Sequence, residues 1–224
     1  MTTQSRELSI VTDKTAIYGA DGFGREVLHL IRRLKHIAED IVFVDDDPTK
    51  QGGSIAGVKI ISFQEAFIEG RDFVIAVADS FIREKLAAKV TLSGRKFRNV
   101  IAASAIVSDE AIIGEGLILC ENTIITANAL IGKHFHANIY SYVAHDCVIG
   151  DYVTFGPRVS CNGRILVGSG AYIGTSAVIK QGRHHQPLSI GKNSIVGMGA
   201  VVTKDVAEGM TVIGNPARAL ESKT

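Results

Sequence analysis

The chain has 224 residues, 46% of them hydrophobic, with 24 basic against 23 acidic side chains and a formal net charge of +1. That length and apolar content suit a folded protein of one large or two small domains, and the balanced charge leaves no positive field to hold a phosphodiester backbone, so no nucleic acid is expected as a partner. No apolar run reaches the roughly 20 residues that cross a bilayer, and the opening MTTQSRELSIVTDK is too polar for a signal peptide, so a cytoplasmic protein without a membrane partner is expected. Cys120, Cys147 and Cys161 are odd in number and lack Cys-x-x-Cys spacing, which argues against a disulfide framework or zinc knuckle and predicts small core residues; Cys147 and Cys161 fall in the inward columns of a six-residue repeat beyond residue 100, where burial raises a thiol pKa.

From residue 14 to about 100, short apolar runs alternate with amphipathic segments. Thr15 to Tyr18 reads as a strand, Val27, Leu28, Leu30, Ile31 and Leu34 recur at helical spacing, and Ile41 to Val44 reads as a second strand. Val58 to Ile61, a helix opened by the capping box Ser62-Phe63-Gln64-Glu65, the run Phe73 to Val77 and a helix over about 80–90 continue the pattern. Strands separated by helices predict a small parallel α/β sheet, Rossmann-like, over residues 1–100. Gly19, Gly22 and Gly24 follow the first strand and open the first helix, where backbone N–H groups can face a diphosphate; a turn that merely needs glycine stays open.

Beyond residue 100 the helical period gives way to a period of six. From Val107 through Ile113, Leu119, Ile125 and onward to Ile179, every sixth residue is apolar, and the residue four places later is small or apolar. An interruption falls at 182–188, after which the column resumes at Ile190, Val196 and Val202, and after a second shift at Ile213. Such repeats stack into a parallel β-helix, predicted over 101–224, with positions 18 apart lying above one another. Glycines after the guide residues, such as Gly114, Gly132 and Gly150, are expected to serve tight corners at positive φ.

The hexapeptide column resembles that of the bacterial hexapeptide acyltransferases, whose left-handed β-helix trimerises and binds acyl-CoA between neighbouring subunits. Tyr18-Gly19-Ala20-Asp21-Gly22-Phe23-Gly24-Arg25-Glu26-Val27 and Phe43-Val44-Asp45-Asp46-Asp47 narrow the resemblance to the sialic-acid O-acetyltransferase and bacillosamine N-acetyltransferase group. The close, Thr203-Lys204-Asp205-Val206 through Gly214-Asn215-Pro216-Ala217-Arg218, is similar to the general signature of hexapeptide transferases. The resemblance implies a homotrimer that carries acetyl from acetyl-CoA to a nucleotide-linked amino sugar, closest to a 4-amino-4,6-dideoxyhexose, for surface polysaccharide. A sugar O-acetyltransferase stays open.

On that resemblance the Gly19–Gly24 loop, Phe23 included, holds the nucleotide sugar, with Asp45 and Asp46 at its base or in a solvated loop. Asp21 is an unexpected negative charge beside a phosphate. In Ala144-His145-Asp146-Cys147, His145 matches the group's catalytic base, and Asp146, where glutamate is commoner, orients the imidazole if its shorter side chain reaches. Eighteen residues on, the Gly163 N–H is the matching oxyanion donor. Asn138 and Tyr140 are candidate lining of the same cleft. Gly174, Thr175, Gly197 and Met198 are the expected walls of the acetyl-CoA groove, and the insertion with Arg183, His184 and His185 either meets CoA phosphates or is a solvent loop. His29 and His36 are expected at the surface. His134, His136 and His145 invite a γ-carbonic-anhydrase reading, but no ligand set assembles and no metal is expected. A non-catalytic scaffold is the remaining alternative.

Overall fold

The computed structural model describes residues 14–34 and 40–220; His36 lies outside them. The front half is a five-stranded sheet in the order β3 (Ser54–Ile55), β4 (Val58–Ile61), β2 (Asp40–Val44), β1 (Lys14–Tyr18), β5 (Asp72–Ile75). Its central strand β1 (Lys14–Tyr18) is buried from Thr15 onward and leads through α1 (Gly22–Arg33) to the parallel neighbour β2 (Asp40–Val44). The apolar positions of α1, Val27, Leu28, Leu30 and Ile31, are those it buries, and Arg32 and Arg33 in its last turn suit the negative end of the helix dipole. A short antiparallel strand absent from the sequence reading, β3 (Ser54–Ile55), precedes β4 (Val58–Ile61). The reciprocal capping box of Ser62 and Glu65 forms as predicted and starts α2 (Phe63–Ile68). β5 (Asp72–Ile75) then pairs with the opposite edge of β1, and Asp79 caps α3 (Ser80–Leu92), accepting from the Ile82 N–H at 2.8 Å.

From Val100 the chain winds as a left-handed parallel β-helix with three faces. The first face stacks Ile106–Val107, Ile124–Ile125, Tyr142–Val143, Ser160–Cys161, Val178–Ile179 and Val201–Val202. The second stacks Ile112–Ile113, Leu130–Ile131, Val148–Ile149, Ile165–Val167 and Leu188–Ile190. The third runs from Val100–Ile101 through His136–Ala137, Thr154–Phe155 and Tyr172–Ile173 to Thr211–Ile213. The guide column and its companions Ala129, Cys147, Val153, Val159, Ala171 and Ala177 fill the interior, as the period requires. The front domain covers the upper third face, burying the outward residues Ile118, His136 and Thr154, whereas Ile112, Leu130, Val148, Leu166, Ile124 and Val178 stay exposed on the other two faces.

Two expectations about the repeat are corrected. Gly214 has the expected positive φ, 92°, but Gly114, Gly132, Gly150, Gly156, Gly168, Gly174, Gly191 and Gly197 do not. The left-handed corner lies two residues further on, at Asn122, Asn128, His134, Tyr140, Asp146, Tyr152, Arg158 and Arg164. The glycines are required instead by close stacking: a Cβ on Gly150 would lie 2.5 Å from the Ser169 nitrogen, and one on Gly174 2.6 Å from the Met198 nitrogen. The second correction concerns the last coil. Val206 bridges Ile190 and Val212 pairs with Val196, so the coil is two residues short and Val212 points inward. Ile213 is 43% exposed and lies over Gly197, where a Cβ would meet its Cγ2 at 2.7 Å.

Candidate active site

The corner between the first and second faces carries His145. Asp146 takes the left-handed conformation, φ 59°, which aspartate tolerates better than most residues and which turns its carboxylate back toward the preceding side chain. His145 Nδ1 and Asp146 Oδ2 are 2.8 Å apart, so the short side chain does reach. The same carboxylate accepts from Asn128 Nδ2 at 3.3 Å one coil above and lies 3.7 Å from Arg164 Nε one coil below. The hydrogen bond with His145, then that from Asn128, holds the Asp146 carboxyl below the usual carboxylate range. An ionised partner on Nδ1 leaves Nε2 as the nitrogen free to take a proton.

Gly163 lies against that nitrogen. A Cβ there would sit 2.6 Å from both Cε1 and Nε2 of His145, so only glycine lets the ring occupy its place. Gly163 is buried, and its N–H reaches no acceptor among the described residues. The insertion continues the same corner: the Gly182 N–H donates to Gly163 O at 3.0 Å, and Arg183 pairs with Gln186 in a small exposed turn. Lys180, Arg183 and Lys204 line a depression of about 380 Å³ there.

A second site lies at the carboxyl edge of the front sheet. The chain leaves β1 toward β2 on one side while β5 returns on the other, and the crevice at such a reversal of strand order is where open α/β sheets bind ligands. One wall is the Gly19–Gly24 loop. Gly19 has φ 115°, and a Cβ on it would lie 2.8 Å from Ala76 O; a Cβ on Gly24 would collide with Gly19 O. Both are explained by the turn. Gly22 is different, because nothing lies within 4 Å of its Cβ position. The other wall, Val77 and Ala78 after β5, was missed by sequence reasoning, and strand order alone reveals it.

Asp21 turns away from the helix N-terminus to Lys50, at 3.0 Å, and leaves the first N–H groups of α1 without a side-chain cap. Lys50, also missed, binds Asp45 at 3.0 Å and brings a cation to this mouth. Asp45 further accepts from the Ala20 and Asp47 N–H groups. Asp46 is tied to Tyr18 OH at 2.7 Å and to Lys89 Nζ at 2.8 Å, an internal role the sequence did not disclose. Half-buried Phe23 packs over His136, ring centroids 5.4 Å apart.

Asn138 does not share the corner of His145. It belongs to the corner between the third and first faces, one strand earlier, above Gly156, Gly174 and Gly197; Thr175 and the exposed Met198 lie in the same ladder. In one chain the expected acetyl-CoA walls and the candidate base thus occupy different edges of the prism. His134 and His136 stand apart from His145: both are buried at the domain joint, His134 between Phe97 and Tyr152. No group of three or more histidine, cysteine, aspartate or glutamate side chains that could hold a metal occurs among the described residues. His29 is exposed, as expected. Burial pushes the Cys120 thiol up to about 12, and the hydrogen bond to Cys147 with burial raises Cys161. Cys147 departs from expectation: the bond from Cys161 draws its thiol down, though it is buried away from solvent.

Residues 14–90 match the family described as the PglD N-terminal domain. The chain is 42% identical to a GDP-perosamine N-acetyltransferase of Escherichia coli O157:H7, over 92% of its own length and 95% of that protein's. Among solved structures it is similar to WeeI from Acinetobacter baumannii AYE, with TM-score 0.89 and 48% identity over 93% of this chain and all of that one. It is also similar to a histidine-to-asparagine variant of perosamine N-acetyltransferase from Caulobacter crescentus, solved with CoA and GDP-perosamine: TM-score 0.84, 29% identity, 93% of this chain and 97% of that one.

Proposed function

The chain belongs to the hexapeptide-repeat sugar acyltransferases of the sialic-acid O-acetyltransferase and bacillosamine N-acetyltransferase group, and from that premise we propose that it acetylates the 4-amine of GDP-perosamine with acetyl-CoA. The 42% identity to a GDP-perosamine N-acetyltransferase over nearly both whole chains supports this acceptor. The observation that carries the chemistry is the unit of His145, Asp146 and Gly163, in which an ionised carboxylate fixes the imidazole and a glycine flanks its free nitrogen.

In this reading residues 1–100 hold the nucleotide sugar and 101–224 transfer the acetyl group. The diphosphate sits on the open N-terminus of α1, at Gly22, Phe23 and Gly24, with Lys50 at the mouth. The neutral amine attacks the thioester carbonyl and forms a C–N bond. The carbonyl oxygen becomes an oxyanion that accepts from the Gly163 N–H, and His145 Nε2 takes the proton from the nitrogen. Collapse breaks the C–S bond and expels the CoA thiolate, which leaves as the thiol on regaining that proton.

CoA runs down the groove between neighbouring β-helices, between the Gly174, Thr175, Gly197 and Met198 ladder of one subunit and the His145 corner of the next. That arrangement brings together two edges that are apart in one chain, and it gives the exposed apolar stripes on the first and second faces a partner in a homotrimer. The basic depression beside Arg183 then faces the CoA phosphates. A cytoplasmic enzyme in polysaccharide-sugar synthesis is consistent with the absence, among the described residues, of any helix able to cross a membrane.

The test is thiol release from acetyl-CoA with GDP-, UDP- and dTDP-linked 4-amino-4,6-dideoxyhexoses and with free sialic acid. GDP-perosamine should be turned over, and His145→Ala should lose on the order of 10²- to 10⁴-fold. Turnover of sialic acid alone, or full activity in the variant, would overturn this reading.

A further inference from the structure

The joint between the two halves is organised by a side chain that neither the glycine loop nor the hexapeptide period accounts for. Arg83, on α3, is fully buried. Its guanidinium donates from Nη1 to Val77 O at 2.7 Å and Ala78 O at 3.0 Å, and from Nη2 to Tyr152 O and to Thr154 Oγ1 at 2.9 Å. Thr154 Oγ1 in turn donates to Ala78 O at 3.0 Å, and nearby Ser80 Oγ donates to Gly170 O at 3.0 Å. Two acceptors of Arg83 belong to the front domain and two to the β-helix.

No carboxylate forms an ion pair with this guanidinium among the described residues, and burial pushes its pKa down to about 9, which leaves it charged at neutral pH. A buried charge held by carbonyl and hydroxyl dipoles, with only the longer-range attraction of Asp79 beside them, is a costly way to hold two surfaces together, and apolar side chains of similar volume do so more cheaply. What a guanidinium adds is geometry, because its planar fork of donors fixes the direction and distance of every acceptor at once.

The acceptors on the front side are the wall of the ligand crevice. Val77 and Ala78 follow β5, and Gly19 of the opposite wall is so close that a Cβ there would lie 2.8 Å from Ala76 O and 3.1 Å from a Val77 methyl. Contact therefore runs without a gap from the Tyr152–Thr154 coil through Arg83 and the Val77–Ala78 segment to the glycine loop. We infer that Arg83 is a positioning residue: it sets the crevice at a fixed distance and angle from the β-helix, so that a nucleotide sugar held by the front domain presents its amine where the acetyl group is transferred. The inference rests on the reading under Proposed function for the identity of the ligand, but not for the coupling itself.

Thr154 gives the least disruptive test, with Arg83→Met as the stronger variant. In the full-length protein, Thr154→Val removes at constant shape one acceptor of the clasp and the hydroxyl's own bond to Ala78 O, and Thr154→Ser restores the hydroxyl. Thr154→Val should raise the KM for GDP-perosamine about tenfold, the worth of one charge-assisted hydrogen bond, with the KM for acetyl-CoA unchanged; Thr154→Ser should recover the wild-type value. Amide hydrogen exchange should quicken at 76–79 and 19–24 in Thr154→Val and stay unchanged at 143–149. A lowered melting temperature with neither change, or KM values for both substrates rising together, would reduce Arg83 to a structural tie and overturn the inference. Should the wild type fail to acetylate GDP-perosamine, the ligand reading has failed, and the exchange comparison still decides whether Arg83 couples the β-helix to the crevice.

Discussion

Replacing Gly163 with alanine places a methyl carbon 2.6 Å from Cε1 and Nε2 of His145, about 0.8 Å inside the 3.4 Å at which ordinary contact begins. The backbone permits the substitution, because Gly163 is outside the left-handed region. The strain therefore falls on the imidazole, which can yield only by leaving the place in which Asp146 orients it. The Arg164 N–H holds the His145 carbonyl at 3.0 Å, and Asp146 holds Nδ1 at 2.8 Å, so the ring can move only by breaking the hydrogen bond that orients it. A catalytic group misplaced by about 1 Å costs on the order of 10²-fold, so kcat in the thiol-release assay should fall by about that factor. The melting temperature should change little, because the ring is partly exposed and can swing toward solvent. Since methyl and imidazole act on one proton transfer, the double variant Gly163→Ala/His145→Ala should be no slower than His145→Ala alone. Activity within about threefold of wild type in Gly163→Ala, or a further hundredfold loss in the double variant, would refute the geometry argued for this corner.

Asp146→Asn keeps a residue suited to φ 59° but removes the charge that fixes the imidazole, so kcat should drop roughly ten- to a hundredfold with normal folding; an unaltered rate would remove Asp146 from the machinery. Gly22→Ala meets nothing within 4 Å in the protein, so thermal stability should hold while the KM for the nucleotide sugar rises; an unchanged KM would place the diphosphate elsewhere. Burial first, and the charge of Arg83 second, lower His134 to about 4 and His136 well below 6.5, whereas both titrate near 6.5 when unfolded. The unfolded chain then binds more protons below pH 6.5, so stability is complete above that pH and is lost as it falls toward 4, at up to about 1.4 kcal/mol per pH unit for each imidazole. Urea unfolding across this range should show the slope in the wild type and a flatter one in His134→Phe/His136→Leu; equal slopes would contradict it.

The period of six determined by itself the stacking of the second half, because an inward side chain every sixth residue leaves a three-faced coil as the way to bury the whole column. The position of Gly163 against His145 followed from the same arithmetic, since a repeat of 18 makes vertical neighbours predictable. Local signals were equally legible in the Ser62 capping box and in the apolar stripe of α1. Where the chain broke its period, legibility fell: the second shift of the column was visible, but not its length, and the coil shortened by two places Val212 inward where Ile213 was expected. The role of the post-guide glycines was misread for a related reason, as a composition pattern cannot distinguish a backbone needing positive φ from one that needs the next coil close by. Only the tertiary structure decided that Asp46 is spent on Tyr18 and Lys89, that Val77 and Ala78 face the glycine loop, and that Arg83 binds both halves. The Asp46–Tyr18 and Arg83–Thr154 contacts join residues 28 and 71 positions apart, the second across two different periodicities, and no local pattern encodes such a pairing.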